Sequence, residues 1–236
     1  MSLPADIRGS VPLLLSLNAG YVDTAGFLAL QGLFTAHVTG NFVTLGASIA
    51  LGTSGAVAKL LALPVFCVVV IATRLLGSLL SRRRGAALEP LLAIKVLLLI
   101  AGAALAIRLG PFHDGDSWRA VLTGMTLVAA MAVQNAVHRI HLGSVPPSTL
   151  MTGTTTQIMI DLADLVYPDP TMQTHPGSKL GLMSLNVVVF ALGCGAAALL
   201  FLKFGVWCFV WPPLLGALAL VVRLADRDEA LGARKS

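Results

Sequence analysis

Asp23 is the residue whose type and place most plainly suggest chemistry. It stands in an apolar stretch, between Gly20-Tyr21-Val22 and Thr24-Ala25-Gly26. A carboxyl group inside a membrane is expensive to keep there and marks a functional site by default. Burial favours the neutral form, which suits a proton carrier or a cation ligand. Arg74 and Lys95 also lie in apolar stretches and would be its partners in a purely structural ion pair. Gln134 and Asn135 hold a comparable place later in the chain, without charge. Asn18, Tyr21 and Gln31 are polar groups placed to line the same cavity.

Two short segments offer a second kind of chemistry. Thr39-Gly40-Asn41 and Thr152-Gly153-Thr154 each open a short apolar run. A helix start presents unpaired N–H groups and the positive end of its dipole. Glycine there admits a ligand to the backbone, while Thr and Asn cap the helix or donate hydrogen bonds. Two such ends facing each other suit an anion or a small polar solute. Helix capping alone would explain the same residues.

Other candidates carry less. His138 and His141 are three residues apart, a ligand-like spacing, but no acidic or cysteine ligand accompanies them in sequence. They are expected at a membrane interface, and no metal site is assigned. Asp161 and Asp164 share a helix face and are expected to be solvated. Cys67, Cys194 and Cys208 sit in apolar stretches, where an odd number reads as packing rather than a disulfide framework. Neither the serine-nucleophile, zinc-protease nor phosphate-loop signatures occur. The expectation is a non-enzyme with no catalytic residues and no cofactor.

These residues need a bilayer around them. Of 236 residues 56% are hydrophobic and 11% charged, with a mean hydropathy of +0.86. Soluble domains carry about 25% charged residues to face water, so this chain cannot cover a soluble globule. Apolar windows at 57–80, 91–110, 180–202 and 206–222 approach or exceed the roughly 20 residues that cross a hydrocarbon core. Alternating strands of a barrel are absent from the pattern. The stretch after Arg8 lacks a small-residue cleavage site and runs on through Asn18 and Asp23, so it reads as a first membrane helix. The net charge of +5 is no nucleic-acid signal, since Arg82, Arg83 and Arg84 cluster between two membrane helices. Such a cluster sets topology.

The expected elements fall into two sets. The first holds a helix over 10–31, an extended link, a short helix over 41–51, and long helices over 57–80 and 88–109. The second holds a helix over 117–141, the Pro146-Pro147 link, a short helix to about 167, a polar stretch at 168–178, and long helices over 179–203 and 206–223. The offset from Asp23 to Asn135 is 135 − 23 = 112, and from Thr39 to Thr152 it is 152 − 39 = 113. Residues 1–112 and 113–236 are therefore expected to be repeats within a single membrane domain.

Whether the short helices cross decides the architecture. An 11-residue helix rises only about 16 Å, and seven extended residues reach about 23 Å. A link and helix of these lengths enter the bilayer and return to the same face. With six crossings and cytoplasmic termini, Arg8, Arg82 to Arg84, Arg139, Lys179 and the basic tail lie inside. Lys59, Arg108, Arg119 and Lys203 remain outside, as the positive-inside rule favours. Eight crossings would strand Arg82 to Arg84 outside. The expected fold class is an all-α integral membrane protein, with about six transmembrane helices, two re-entrant helices and two inverted repeats.

Two segments also carry a resemblance. Gly20-Tyr21-Val22-Asp23-Thr24-Ala25-Gly26-Phe27 followed by His37-Val38-Thr39-Gly40-Asn41 resembles the YoaK-like family of bacterial membrane proteins, domain of unknown function 1275. Met131-Ala132-Val133-Gln134-Asn135-Ala136 with Met151-Thr152-Gly153-Thr154 is similar to that family's second signature. The resemblance covers nearly the whole chain. It implies the bacterial cytoplasmic (inner) membrane and a two-part organisation, but no substrate.

The expected function is a small secondary transporter or channel for a small polar or anionic solute. Asp23 would couple protons or bind a cation, and the Thr-Gly-Asn and Thr-Gly-Thr starts would bind the solute. A non-transporting assembly partner or sensor is the alternative, with Asp23 paired to Arg74 or Lys95 in a dry interior. Lipid is the expected partner, and nucleic acid is not.

Overall fold

The computed structural model describes residues 10–84, 87–149, 151–167 and 177–232. Arg8, residues 168–176 of the polar stretch, Arg234 and Lys235 lie outside the described residues. Helices α1 (Ser10–Ala29), α2 (Asn41–Leu51), α3 (Ala56–Arg84) and α4 (Leu88–Leu109) form the first half. Helices α5 (Trp118–His141), α6 (Met151–Val166), α7 (Gly177–Phe204) and α8 (Trp211–Gly232) form the second. Short 3-10 turns at Val38–Gly40 and Gly205–Val210 lead into α2 and α8. No strand occurs among the described residues.

Five helical stretches are long and apolar enough to cross a membrane: α1, α3, α4, α5 and a run of 49 residues, Leu180–Asp228. Straight, that last run would extend about 73 Å, more than twice a hydrocarbon core. It reverses instead at Gly205, whose φ is +55. Contacts along α1 show the reversal. From Ser16 to Gly20 the partner in α7 rises from Asn186 to Phe190. From Tyr21 back to Asn18 the partner rises from Cys208 to Pro212. Hence α7 runs parallel to α1 and α8 antiparallel, which gives six long helices. The molecule is an all-α membrane protein, as expected.

Helix packing follows one scheme in both halves. Helix α1 lies against α7 and α8, while α5 lies against α3 and α4. Helix α2 packs on α3, α6 packs on α7, and α4 meets α8. The tightest crossing is α1 on α7. A Cβ on Gly20 would stand 2.2 Å from the Phe190 carbonyl oxygen, and one on Gly193 would stand 2.2 Å from that of Leu17. Small residues at membrane crossings let backbones approach closely, and van der Waals contact then holds them.

Each end of the bundle is tied separately. At the end holding the α4–α5 connection, Gln31 Nε2 donates to the Phe112 carbonyl (2.9 Å), which secures a residue held at φ +54 after α1. Asp116 accepts from the backbone N–H groups of Gly55 (2.8 Å) and Val57 (2.7 Å), capping α3 from another loop. Helix α2 returns to this end, ending on the left-handed Gly52, with Lys59 Nζ donating to Ser48 Oγ (2.6 Å). At the opposite end Glu89 pairs with Arg223 (3.2 Å) and Arg227 (3.9 Å), joining the start of α4 to the end of α8.

Candidate functional site

Asp23 sits six residues before the end of α1, and the chain after Ala29 turns back to its level. Residues 30–37 form no helix, so their backbone groups need other partners. The Asp23 carboxylate supplies them. Its Oδ1 accepts from the backbone N–H groups of Thr35 (2.7 Å), Ala36 (2.7 Å) and His37 (3.4 Å), and from the Thr35 hydroxyl (3.4 Å). Its Oδ2 lies 2.6 Å from His37 Nδ1. All of the Oδ1 partners are donors, which suits a carboxylate. The expected structural partners, Arg74 and Lys95, are not the ones it meets, because the connection itself fills its coordination.

Asn41 clasps the other side of the turn. Its Oδ1 accepts from the Phe34 N–H (2.9 Å) and its Nδ2 donates to the Phe34 carbonyl (2.8 Å). Both ends of the amide are thus used on one residue, so Asn41 shapes the link, where the sequence suggested a role in binding solute.

His37 is the chemically available member of this group. The Asp23 contact fixes Nδ1 and leaves Nε2 as the nitrogen the ring can offer elsewhere. The side chain is 34% exposed while that of Asp23 is 5% exposed. Its ring stands edge-on to Phe34 and Phe190, with centroids 6.5 and 5.5 Å away. The hydrogen bond to Asp23 pushes the imidazole pKa up, against the opposing effect of burial. Asp23, Thr24, Phe27, Phe34, His37 and Phe190 line a cavity of about 520 Å³, completed by Leu28, Gly40 and Cys194. The arrangement offers one positioned proton acceptor, one hydroxyl and aromatic walls, enough for a small solute with one polar end.

The second half builds a smaller counterpart. Thr149 Oγ1 donates to Asn135 Oδ1 (2.5 Å). Gln134 Nε2 donates to Ser148 Oγ (3.0 Å) and to the Leu15 carbonyl (2.9 Å). Asn135, Ser148, Thr149 and His138 line a cavity of about 270 Å³ with Phe66 and Val70. The pairs Asp23–His37 and Asn135–Thr149 each span 14 residues and are offset by 112 at both members, since 135 − 23 = 112 and 149 − 37 = 112.

The two cavities share no lining residue. The start of α2 lies at one hollow through Gly40 and the start of α6 at another through Thr152, where the sequence suggested one shared site. Thr39 is exposed and Gly40 half-buried. Thr152 and Gly153 are exposed, with Thr152 lining a shallow hollow on α6 beside Thr155, Thr156 and Met159. Thr154 is buried. Asn18, Tyr21 and Gln31 join elements instead of lining the Asp23 cavity. Asn18 Nδ2 donates to the Pro212 carbonyl (3.2 Å), and the Tyr21 hydroxyl to that of Cys208 (2.8 Å).

Two further candidates are buried, one of them against expectation. His138, near the end of α5, is buried within the protein, its Nε2 3.4 Å from the Val145 carbonyl, because the proline link folds back over the end of α5. Asp161 is buried rather than solvated, because Gln157 one turn earlier covers it and donates to its Oδ1 (2.7 Å). His37, Ser148 and Thr149 were not singled out from sequence as site residues. A polar residue 14 positions after each intramembrane Asp or Asn was the available signal.

The chain is 28% identical over 215 residues to UPF0700 transmembrane protein YoaK of Bacillus subtilis (strain 168), covering 86% of this chain and 89% of that protein. No solved structure matches. Residues 11–222 match the family described as "Protein of unknown function (DUF1275)", and the chain belongs to that family.

Proposed function

We propose that this protein is a small secondary transporter or channel of the bacterial inner membrane, moving a small polar or anionic solute. The observation that carries the reading is the Asp23–His37 pair lining a cavity where helix gives way to extended chain. Non-helical backbone at membrane depth is tolerated where it is buried in protein or lines a watery space. Asp23 holds the connection and orients His37, and the exchangeable proton belongs on His37 Nε2. On this reading α2 and α6 are re-entrant, the halves 1–112 and 113–236 are inverted repeats, and both termini face the cytoplasm. The matched packing of α1 on α7–α8 and α5 on α3–α4 supports the repeat. The arginines around Glu89, at the end where α8 finishes, support the orientation. No chemical conversion of the solute is part of the proposal.

A second reading, a membrane assembly partner or sensor, draws support from the outer face of α2. Phe42, Val43, Ile49 and Leu51 there are exposed and would accept a protein partner as readily as lipid.

Proteoliposomes separate the two readings. Purified protein should accelerate uptake of at least one of formate, acetate, urea and glycerol, read by vesicle shrinkage and by an entrapped pH dye. Asp23→Asn and His37→Ala should each slow that uptake at least tenfold and flatten its pH dependence. Folded protein that leaves all four at the empty-vesicle rate argues for the assembly reading.

A further inference from the structure

Three buried polar atoms near the centre of the bundle have no hydrogen-bond partner among the described residues: Asn18 Oδ1, Gln134 Oε1 and Lys95 Nζ. Asn18 and Gln134 are fully buried and Lys95 is 1% exposed. The amides cannot simply be turned over. Their nitrogens donate to the carbonyl oxygens of Pro212 and Leu15, which only accept, so each amide oxygen is fixed on the side that lacks a donor.

Helix register puts the three groups within about one turn of each other. Helices α4 and α5 run antiparallel, with Gly102 packed against Leu127 and Glu89 within electrostatic reach of His141. The paired numbers sum to 102 + 127 = 229 and 89 + 141 = 230, so Lys95 stands level with Gln134 (95 + 134 = 229). Gln134 bonds to Leu15, one turn from Asn18 on α1. A Cβ on Gly216 of α8 would meet Leu99, Val96 and the Asn18 amide nitrogen together, at 3.2 to 3.5 Å. An amine without an acceptor therefore shares a four-helix centre with two amide oxygens without donors.

We propose that Lys95, Asn18 and Gln134 form an internal proton-binding site. The empty site holds Lys95 as the neutral amine, since a lone buried ammonium would face low dielectric uncompensated. A proton from water adds to the amine lone pair, forming one N–H bond, and returns to water on release. The ammonium then draws to Asn18 Oδ1 and Gln134 Oε1, which pulls α4 toward α1 and α5 and satisfies all three groups together. None of the ion pairs among the described residues includes Lys95, and the nearest buried carboxylates on the packed elements, Glu89 and Asp226, lie at the end where α4 starts and α8 finishes.

The other titratable and charged groups stand off this level. His138 and Arg139 on α5 lie a turn away. Glu89, Arg223 and Arg227 lie at one end of α4 and α8, and Arg108 and Cys208 toward the other. Arg74 is on α3 and Tyr21 on α1. A coupling role for this proton rests on the transport reading above. The titration itself does not.

The test uses the full chain, labelled with [ε-¹³C]lysine, in lipid nanodiscs. The Lys95 signal is assigned by its loss in Lys95→Met and compared with that of Lys203, an exposed lysine. Between about pH 5 and 9, a window that buried lysines reach, the Lys95 signal should switch reversibly between two forms while Lys203 stays in one. Removing an acceptor of the ammonium should move that switch to lower pH by about one unit in Asn18→Leu, and equally in Gln134→Leu. If one variant does not fold, the other carries the comparison. A single Lys95 form throughout, or a switch that no folded acceptor variant moves, overturns the site. A switch with no solute uptake supports the site and counts against transport. Uptake without a switch does the reverse.

Discussion

Asp23 and His37 divide one task. The carboxylate collects backbone donors that would otherwise be stranded, and the imidazole presents the result to a cavity. Substitutions should separate these roles. Asp23→Asn keeps an oxygen for the Thr35 and Ala36 N–H groups and should cost about 1–2 kcal/mol of stability, the difference between charged and neutral hydrogen bonds. Asp23→Leu strands those donors and should cost about 3–5 kcal/mol, read as the fall in melting temperature in detergent. Equal losses in the two variants would mean the charge alone matters. His37 gives a pH signature. Its folded pKa is raised, so its bond to Asp23 contributes fully below the ordinary value of 6.5 and fades as pH rises through the folded value. The melting-temperature gap between wild type and His37→Gln should therefore be widest near pH 5–6 and shrink at alkaline pH. A gap that widens with pH contradicts the pair. The importance of Asp23 was legible from its charge in an apolar run. Its partner was not, because that partner sits across a turn whose shape depends on Asn41 and Phe34.

The helices themselves were readable because composition and length leave little choice in a bilayer. The expected spans agree with α1 through α8 to within a few residues at most ends, with α1 stopping at Ala29 where the left-handed Gln31 follows. Pairing of the helices was less legible, since lipid-facing and protein-facing residues are both apolar and periodicity says little about partners. Glycines carry that information only once the structure is known. Gly20 and Gly46 look alike in sequence, yet Gly20 is pressed against Phe190 and Gly46 faces open space. Gly20→Ala or Gly193→Ala should push α1 from α7 and cost about 1–3 kcal/mol. Gly46→Ala should be neutral or slightly stabilising. Thermal denaturation of the three variants checks this, and a Gly20→Ala protein as stable as wild type would contradict the close crossing.

At the scale of the whole bundle, the described residues form six long helices and two short ones, and the helices of each half pair in a matched order. The proposed repeat rests in sequence on the offsets of 112 from Asp23 to Asn135 and 113 from Thr39 to Thr152. The separation of the two cavities was not legible there, since it depends on which long helix each short one packs against. The transport reading requires that the larger cavity hold water. A native reporter is already in place, because Cys194 lines that cavity while Cys67 is exposed on α3 and Cys208 is buried. The decisive measurement is the reaction of the protein in liposomes with a charged, water-soluble thiosulfonate, read by mass spectrometry at each cysteine. Transport through the Asp23–His37 cavity predicts modification of Cys194 that slows solute uptake, with Cys67, which faces lipid on the apolar span of α3, and the buried Cys208 untouched. Cys194 that resists the charged reagent yet reacts with a membrane-permeant one would show a cavity filled by lipid and contradict the reading.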